Sequence, residues 1–429
     1  MADLLALSTD IIEGRASPEE TGPVNRVNFQ LSPIADRIAM VEAFSHCILF
    51  QTEDGLVAFD TSSVQGGDRV VDAIRGWRKD PFNSLVYTHG HLDHVGGSGA
   101  FMADAENTGE PRPKVIGHEN VPHRFDRYHF TAGYNRTINQ RQFGQFSRRG
   151  YALGDDESFL PASAARPDVL YSDHMELDVG GLNIHLKHAK GETDDHTWAW
   201  IPEHKAICAG DFFIWSFPNA GNPQKVQRYP VEWAAAMRDM ADQGAELFMP
   251  AHGLPIQGKE RIHRVLTEVA GALEFLVSET VQRMNEGAKL DDIIHEVKVD
   301  AAVLEKPWLR PTYDEPEFIV RNIWRMYGGW YDGNPAHLKP APASSLAREL
   351  AELAGGAQAL SARAAALSES DPRLACHLAE FAVQAAPDDK SVHAIRAEVY
   401  QSRRNRETSL MAKGIFGSAA NESKTKTEE

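Results

Sequence analysis

Three imidazoles and a carboxylate fall within six positions in the stretch Thr88-His89-Gly90-His91-Leu92-Asp93-His94-Val95-Gly96-Gly97. Neutral imidazole and carboxylate are the nitrogen and oxygen donors that zinc takes. A strand end followed by a glycine-rich turn points such groups inward, whereas a solvated loop has no reason to choose this set. His89 and His91 lie two apart, so an extended backbone places them on one side. Asp93 and His94 open the next turn and face a second point. The spacing predicts two adjacent metals.

Elements must hold these groups in place. The apolar run Leu85, Val86, Tyr87 reads as a buried strand ending at the histidine cluster. Before it, Val70, Val71, Ile74 and Trp77 recur at helical spacing within Gly67 to Trp77. Earlier still, Ala39 to Val41, Cys47 to Gln51 and Leu56 to Asp60 alternate with turn residues and predict a strand meander. Met175 to Asp178, Leu182 to Lys187, Thr197 to Ile201, Ala206 to Ala209 and Glu246 to Met249 read as further strands, and Trp233 to Gln243 as a helix. The order is that of an α/β layered fold.

The cluster matches the His-x-His-x-Asp-His signature and resembles the metallo-β-lactamase superfamily. The resemblance implies an αββα sandwich, with the remaining ligands downstream in a set order. Gly191-Glu192-Thr193-Asp194-Asp195-His196-Thr197 offers His196, Ile207-Cys208-Ala209-Gly210-Asp211 offers Asp211, and Met249-Pro250-Ala251-His252-Gly253 offers His252. By resemblance, His89, His91 and His196 hold one zinc, Asp93, His94 and His252 the other, and Asp211 bridges them. Asp60 resembles the superfamily's structural aspartate beneath the metal loop. Two zinc ions, with iron or manganese as alternatives, would supply a bridging hydroxide as nucleophile. Asp93 and Asp211 would then be the catalytic carboxylates.

After Gly258 the pattern turns helical, with Ile262, Val265, Leu266, Val269, Leu273, Leu276, Val277, Val281 and Met284 on one stripe. The run from Pro311-Thr312-Tyr313-Asp314-Glu315-Pro316 through Trp330-Tyr331-Asp332-Gly333-Asn334-Pro335 resembles the helical dimerisation domain of metallo-β-lactamase-type alkylsulfatases. Beyond it, Leu346, Leu350, Leu353, Ala357 and Leu360 predict one amphipathic helix. Asp371-Pro372 opens another in cap-then-proline order, and Ala385 to Asp389 turns into a third. The expected organisation is a catalytic domain over 1–258, an all-helical dimerisation domain over 259–420 and a disordered tail over 421–429. A homodimer is expected.

The resemblance narrows the chemistry to hydrolysis of a sulfate ester of a small or apolar alcohol. It also marks departures: alkylsulfatases carry acidic residues at the third ligand position of the first zinc and at the bridge, where His196 and Asp211 stand here. They also carry an Asn and an Arg that face the sulfate. Asn219 fits the first, but Gln224 or Lys225 stands at the second. The departures keep open a hydrolase of a carboxylic ester, lactone or thioester, and a non-enzymatic dimeric scaffold. Phe212, Phe213, Trp215 and Phe217 fit either a substrate pocket or a core.

Glu119 to Leu170 shows no clear periodicity and reads as a long irregular insertion, the usual form of a lid or binding loop. Within it Tyr134, Arg136 and Arg141 suit an anionic substrate, since guanidinium forks match sulfate oxygens; they equally suit surface pairing with carboxylates. Arg148 and Arg149 fit surface pairing better. His185 and His188 read as structural or supporting groups.

Forty-four basic residues against 61 acidic ones give a net charge of -17, which repels a phosphate backbone and argues against nucleic acid as partner. Three scattered cysteines, Cys47, Cys208 and Cys376, read as buried thiols rather than a disulfide framework. Met1 to Gly14 has no basic start before an apolar core, and no apolar run is long enough to span a bilayer. A cytoplasmic protein without membrane insertion is expected.

Overall fold

The computed structural model describes residues 3–24, 26–143 and 159–428. The fold is the αββα sandwich followed by a helical region. The first sheet runs in sequence order through β1 (Leu31–Ala35), β2 (Ile38–Val41), β3 (Cys47–Thr52), β4 (Gly55–Phe59), β5 (Phe82–Val86), β6 (Lys114–His118) and β7 (Val169–Tyr171). It is antiparallel up to β4 and parallel from β4 onward. The second sheet holds β8 (His174–Val179), β9 (Leu182–His188), β10 (Thr197–Ile201), β11 (Ala206–Gly210), β12 (Leu247–Pro250) and β13 (Ile256–Gln257) in the order β13-β12-β11-β10-β9-β8.

Burial follows sequence pattern. Every residue of β4 and of β11 is buried, as the unbroken runs Leu56 to Phe59 and Ala206 to Ala209 require of strands covered on both faces. At the sheet edge β8 alternates, with Met175, Leu177 and Val179 turned inward relative to their neighbours. The helix Gly67–Trp77 buries Val70, Val71 and Ile74 against the first sheet's core, which also holds Leu49, Leu56, Leu85 and Tyr87.

Several expectations are revised. The span after Glu119 is not irregular: it opens with two helices, Asn120–Phe130 and Ala132–Phe143. Val121, Phe125 and Tyr128 supply a short apolar stripe that the surrounding Arg and His residues obscure in sequence. Arg148 and Arg149 lie outside the described residues. The helix expected across Leu346 to Leu360 is two helices, Ala343–Ala354 and Ala357–Leu367. Gly355 and Gly356 part them at φ +90° and +117°, in the left-handed region that ends a helix.

Of the described residues, those within Met1–Asn135, Leu153–Glu286 and Ile294–Met326 pack as one unit, and those within Arg136–Ala152, Gly287–Ile293 and Tyr327–Glu429 as another. The division does not fall at 258. The helix Lys259–Asn285 belongs to the first unit, because its stripe of Ile262, Val265, Leu266, Val269 and Leu273 is buried there against the helix Pro230–Asp242. Nor is 421–428 a disordered tail. It continues the helix Leu410–Glu428, held by Arg396, which donates to Ser423 Oγ at 2.7 Å and pairs with Glu422 at 3.2 Å. The polar composition there solvates one face of a helix whose other face is anchored.

Candidate metal centre

The histidine cluster begins at His89, three residues past the end of β5. Asp60, at φ +58° just past β4, lies beneath it and is buried. Its carboxylate accepts from the Thr88 N–H at 2.8 Å, from Thr88 Oγ at 2.7 Å and from His94 Nδ1 at 2.7 Å. With Nδ1 so engaged, the Nε2 lone pair of His94 points to the open side. Ser45 Oγ lies 3.1 Å from the same Nδ1, and the His46 ring accepts from the Gly253 N–H at 3.1 Å, fixing the turn that carries His252.

Two sets of donors converge. In the first, His89 Nε2 and His91 Nδ1 stand 2.8 Å apart, with Glu192 Oε1 3.7 Å from His91 Nδ1. In the second, Asp93 Oδ2 lies 3.6 Å from His94 Nε2 and 3.3 Å from His252 Nε2. Asp211 stands between, with Oδ2 3.4 Å from His94 Nε2 and Oδ1 3.6 Å from His252 Nε2. Donors about 2.1 Å from a tetrahedral metal lie about 3.4 Å from one another, and the carboxylate–imidazole pairs around the second set have that spacing, at 3.3–3.6 Å. Asp211 also groups with His89 and His94 within 4.8 Å, so it can serve both sets. His94 Nε2 and Asp211 Oδ1 are buried without a hydrogen-bond partner among the described residues. Buried polar atoms of that kind, all aimed at one point, fit a cation.

The electrostatics say the same. Burial pulls His94 down, yet Asp211, Asp93 and Asp60 together hold it well above an ordinary imidazole. Burial opposes His252 likewise, and Asp211 and Asp93 raise it. His89 and His91 are held well below the usual range, by burial first, then by His94 beside His89 and by Arg228 beside His91. Neutral rings offer lone pairs, and crowded carboxylates draw positive charge. Both are conditions of metal binding.

The expected third donor of the first set is corrected. His196 is fully buried, but its Nε2 accepts from the Asp211 N–H at 3.1 Å, and its ring stacks on His89 with centroids 4.3 Å apart. It shapes the floor of the site. The carboxylate that groups with His89 and His91 is Glu192, four residues earlier; Asp211 is acidic as well, and differs from the usual Glu at the bridge only in being shorter. His188 Nδ1 donates to the His196 carbonyl at 2.9 Å and supports the same segment.

Glu192 brings a second residue that sequence reasoning missed. Arg228, fully buried, donates Nη1 to the Glu192 carbonyl and places Nη2 3.3 Å from Glu192 Oε1. Asn219, expected at the substrate, donates its amide to the same carboxylate. Burial raises Glu192 well above the usual carboxylate range; Arg228 opposes that, while Asp211 adds to it. Burial, then Arg228, pushes Lys225 down to about 7.

The rim loop that carries Asn219 and Arg228 is pinned to the segment Arg310 to Arg325. Ser216 Oγ donates to the Arg310 carbonyl at 3.0 Å, Asp314 accepts from the Gly221 N–H at 2.6 Å, and Asn322 exchanges hydrogen bonds with the Arg228 backbone. The run Pro311 to Arg325 thus serves the site as well as the helical region. A Cβ on Gly221 would stand 2.3 Å from the Ile319 nitrogen. Gly221→Ala is expected to cost about 2–3 kcal/mol by forcing two backbones apart, visible as a lowered melting temperature together with impaired catalysis.

Tyr134 is exposed, and Arg136 and Arg141 belong to the second compact unit. Phe212, Phe213, Trp215 and Phe217 are core, each no more than 2% exposed. Phe212 packs on His196 and Trp233, and Trp215 donates its indole N–H to the Leu254 carbonyl at 2.7 Å. They back the site rather than line a pocket.

Comparison with known proteins follows this geometry. The metallo-beta-lactamase superfamily matches residues 41–252, the span that contains every donor of both sets. Those residues form a metallo-beta-lactamase-type domain. The chain also matches the alkyl sulfatase dimerisation family over residues 289–426. A linear primary-alkylsulfatase of Pseudomonas sp. (strain ATCC 19151) is 26% identical over 377 residues, covering 82% of this chain and 69% of that protein. An (R)-specific secondary-alkylsulfatase of Pseudomonas sp. is 26% identical over 372 residues, covering 82% of this chain and 56% of the relative. The solved structure of the stereoselective inverting sec-alkylsulfatase Pisa1 from Pseudomonas sp. superposes with a TM-score of 0.81 at 23% identity, over 92% of this chain and 65% of that one. The superposition shows a shared fold, and the chain covers between 56% and 69% of the length of these proteins.

Proposed function

We propose that the chain is a dinuclear zinc hydrolase that cleaves the sulfate ester of a small or apolar alcohol. The observation that carries it is the position of Asp211, within 4.8 Å of His89 in the first donor set and of His94 in the second. The names of its relatives support the sulfate. Zinc suits the imidazole and carboxylate donors, with iron and manganese as alternatives. Bound there, such ions would supply Lewis acidity and make hydroxide available at neutral pH.

The chain's own residues do the rest. His89, His91 and Glu192 hold one ion, Asp93, His94 and His252 the other, and Asp211 sets their spacing. Arg228 opposes the burial that raises the Glu192 carboxylate. Lys225, near Arg228, Glu192 and Asp93, is the cation offered to an ester's anionic group. Inorganic sulfate release from alkyl sulfates, measured beside a lactone and carboxylic ester panel, tests this reading. Sulfate release supports it; turnover of lactones alone overturns it.

Lys225 gives the reaction a pH dependence. Its pKa is depressed to about 7, so it is charged below that pH and neutral above. KM for an alkyl sulfate is expected to rise about tenfold between pH 6 and 8 as a charge-assisted contact is lost, and Lys225→Met to flatten the profile.

The chain is proposed to act as a homodimer in the cytoplasm. The match to a dimerisation family supports the first, and three free cysteines the second. Leu346 and Leu353, two helical turns apart on Ala343–Ala354, are 50% and 78% exposed, and Leu374 and Trp330 are exposed in the same unit. Apolar surface of that kind needs a partner. Leu346→Asp with Leu353→Asp is expected to convert the dimer to a monomer in light scattering while the metal content is retained.

A further inference from the structure

Between His89 and His91 the backbone is held from behind. The Gly90 N–H donates to Asp195 Oδ2 at 3.1 Å, and the same oxygen accepts from Arg124 Nε at 2.7 Å. Both side chains are buried, Asp195 at 0% and Arg124 at 3% exposure. A Cβ on residue 90 would lie 2.9 Å from Arg124 Cδ and 2.9 Å from Asp195 Oδ2, so only glycine lets the turn sit this close. Asp195 follows Glu192 by three residues. One carboxylate therefore ties together the two segments that supply the first donor set.

We propose that Asp195, neutralised by Arg124, is the positioning residue of the first metal site, fixing the His89-Gly90-His91 turn against the segment that carries Glu192. The pairing explains the cost of burying both ions. An unpaired Asp195 would compete with Glu192 for positive charge; an unpaired Arg124 would repel a cation held by His89 and His91. Together they are neutral and directional. Arg124 reaches back from the helix Asn120–Phe130, whose Asn120 side chain donates to the Asp194 carbonyl at 3.1 Å, and Arg124 Nη2 pairs with the Asp194 carboxylate. The helix at the start of the former insertion thus acts on the metal site through a backbone N–H and touches no substrate.

The proposal rests on the reading of His89, His91 and Glu192 as a metal site, and its test separates the two. Cobalt(II) is titrated into the metal-free full chain against a competing chelator, in the wild type and in a His252→Ala background where the other set has lost a donor. Visible absorption bands report the geometry. Asp195→Asn is expected to weaken cobalt binding by the first set about 10–100-fold and to shift its bands, with the second set unchanged. Arg124→Gln is expected to reproduce the loss, and Arg124→Lys, which keeps the charge without the planar fork, to recover part of it. Equal weakening of both sets, or of neither, in a folded variant overturns the proposal. Should Asp195→Asn fail to fold, the double variant Arg124→Gln with Asp195→Asn leaves no unpaired buried ion; first-set affinity unchanged in that folded chain also overturns it. A wild-type chain that binds no cobalt overturns the metal reading and this proposal together.

Discussion

Asp211→Asn is expected to lower kcat about ten-thousandfold or more, the largest loss of any single substitution in the chain. Asp211 groups within 4.8 Å with His89 of the first set and His94 of the second, and its Oδ1 lies 3.6 Å from His252 Nε2. Losing it removes a shared ligand and about one unit of negative charge from a site where charge governs both ion affinity and the acidity of water. A ten-thousandfold loss corresponds to about 5.5 kcal/mol of transition-state stabilisation. Burial works against the Asp211 anion, yet His252 and His94 hold its pKa well below the usual carboxylate range. Removing it leaves His94 and His252 with Asp93 as their remaining neighbour in the open cluster, so their raised pKa values are expected to fall. The checks are steady-state kinetics on an alkyl sulfate and the metal content of the purified variant. Circular dichroism should be unchanged, because Asp211 follows the last residue of β11 and holds no strand in place.

Glu192→Gln and His196→Gln are expected to differ sharply. The first removes an anionic donor and should cost about a thousandfold in kcat, with loss of one metal per chain. The second removes a ring that stacks on His89 and accepts the Asp211 N–H. A supporting group of that kind is worth about 10–100-fold in metal affinity or activity, and both metals should still bind at saturating concentration. Metal analysis of the two variants side by side reads the assignment directly: loss of a metal in His196→Gln alone would return His196 to the ligand set.

The pair shows which parts of the site can be read from a sequence. His89, His91, Asp93 and His94 are legible because their spacing is local: one strand end and one turn decide where they point. Asp211 and His252 are legible because each follows an apolar run, and β11 and β12 run parallel, which brings both ends to one rim. Glu192 is not of this kind. It lies in a loop before β10, and a histidine four residues later, directly ahead of the strand, fits the same pattern. What separates them is packing: His196 is taken up by Asp211 and His89, and the turn at Gly191 lies against Phe212. Arg228 was invisible for a similar reason, since its partner is 36 residues away with no periodicity to connect them. In the fold, strands with unbroken apolar runs were plain. The helix Asn120–Phe130 was hidden by its many Arg and His residues, and the boundary near 258 was misplaced because Lys259–Asn285 carries a stripe whose partner is a helix of the preceding domain.

Asn219 was placed at the substrate by resemblance, and its contact with Glu192 sets it at the edge of the first donor set. Tyr134, Arg136 and Arg141 were chosen by residue type alone, and type does not fix position. Among the described residues, Arg124, Arg228 and Lys225 are basic groups that act on the cluster.

The most direct measurement is the metal-to-chain ratio, determined by elemental mass spectrometry on protein stripped, reconstituted with zinc and freed of excess. Two zinc ions per chain are expected in the wild type, falling to one in Glu192→Gln. A wild-type ratio of one or zero, or a ratio of two that Glu192→Gln leaves intact, would contradict a dinuclear centre built on these residues.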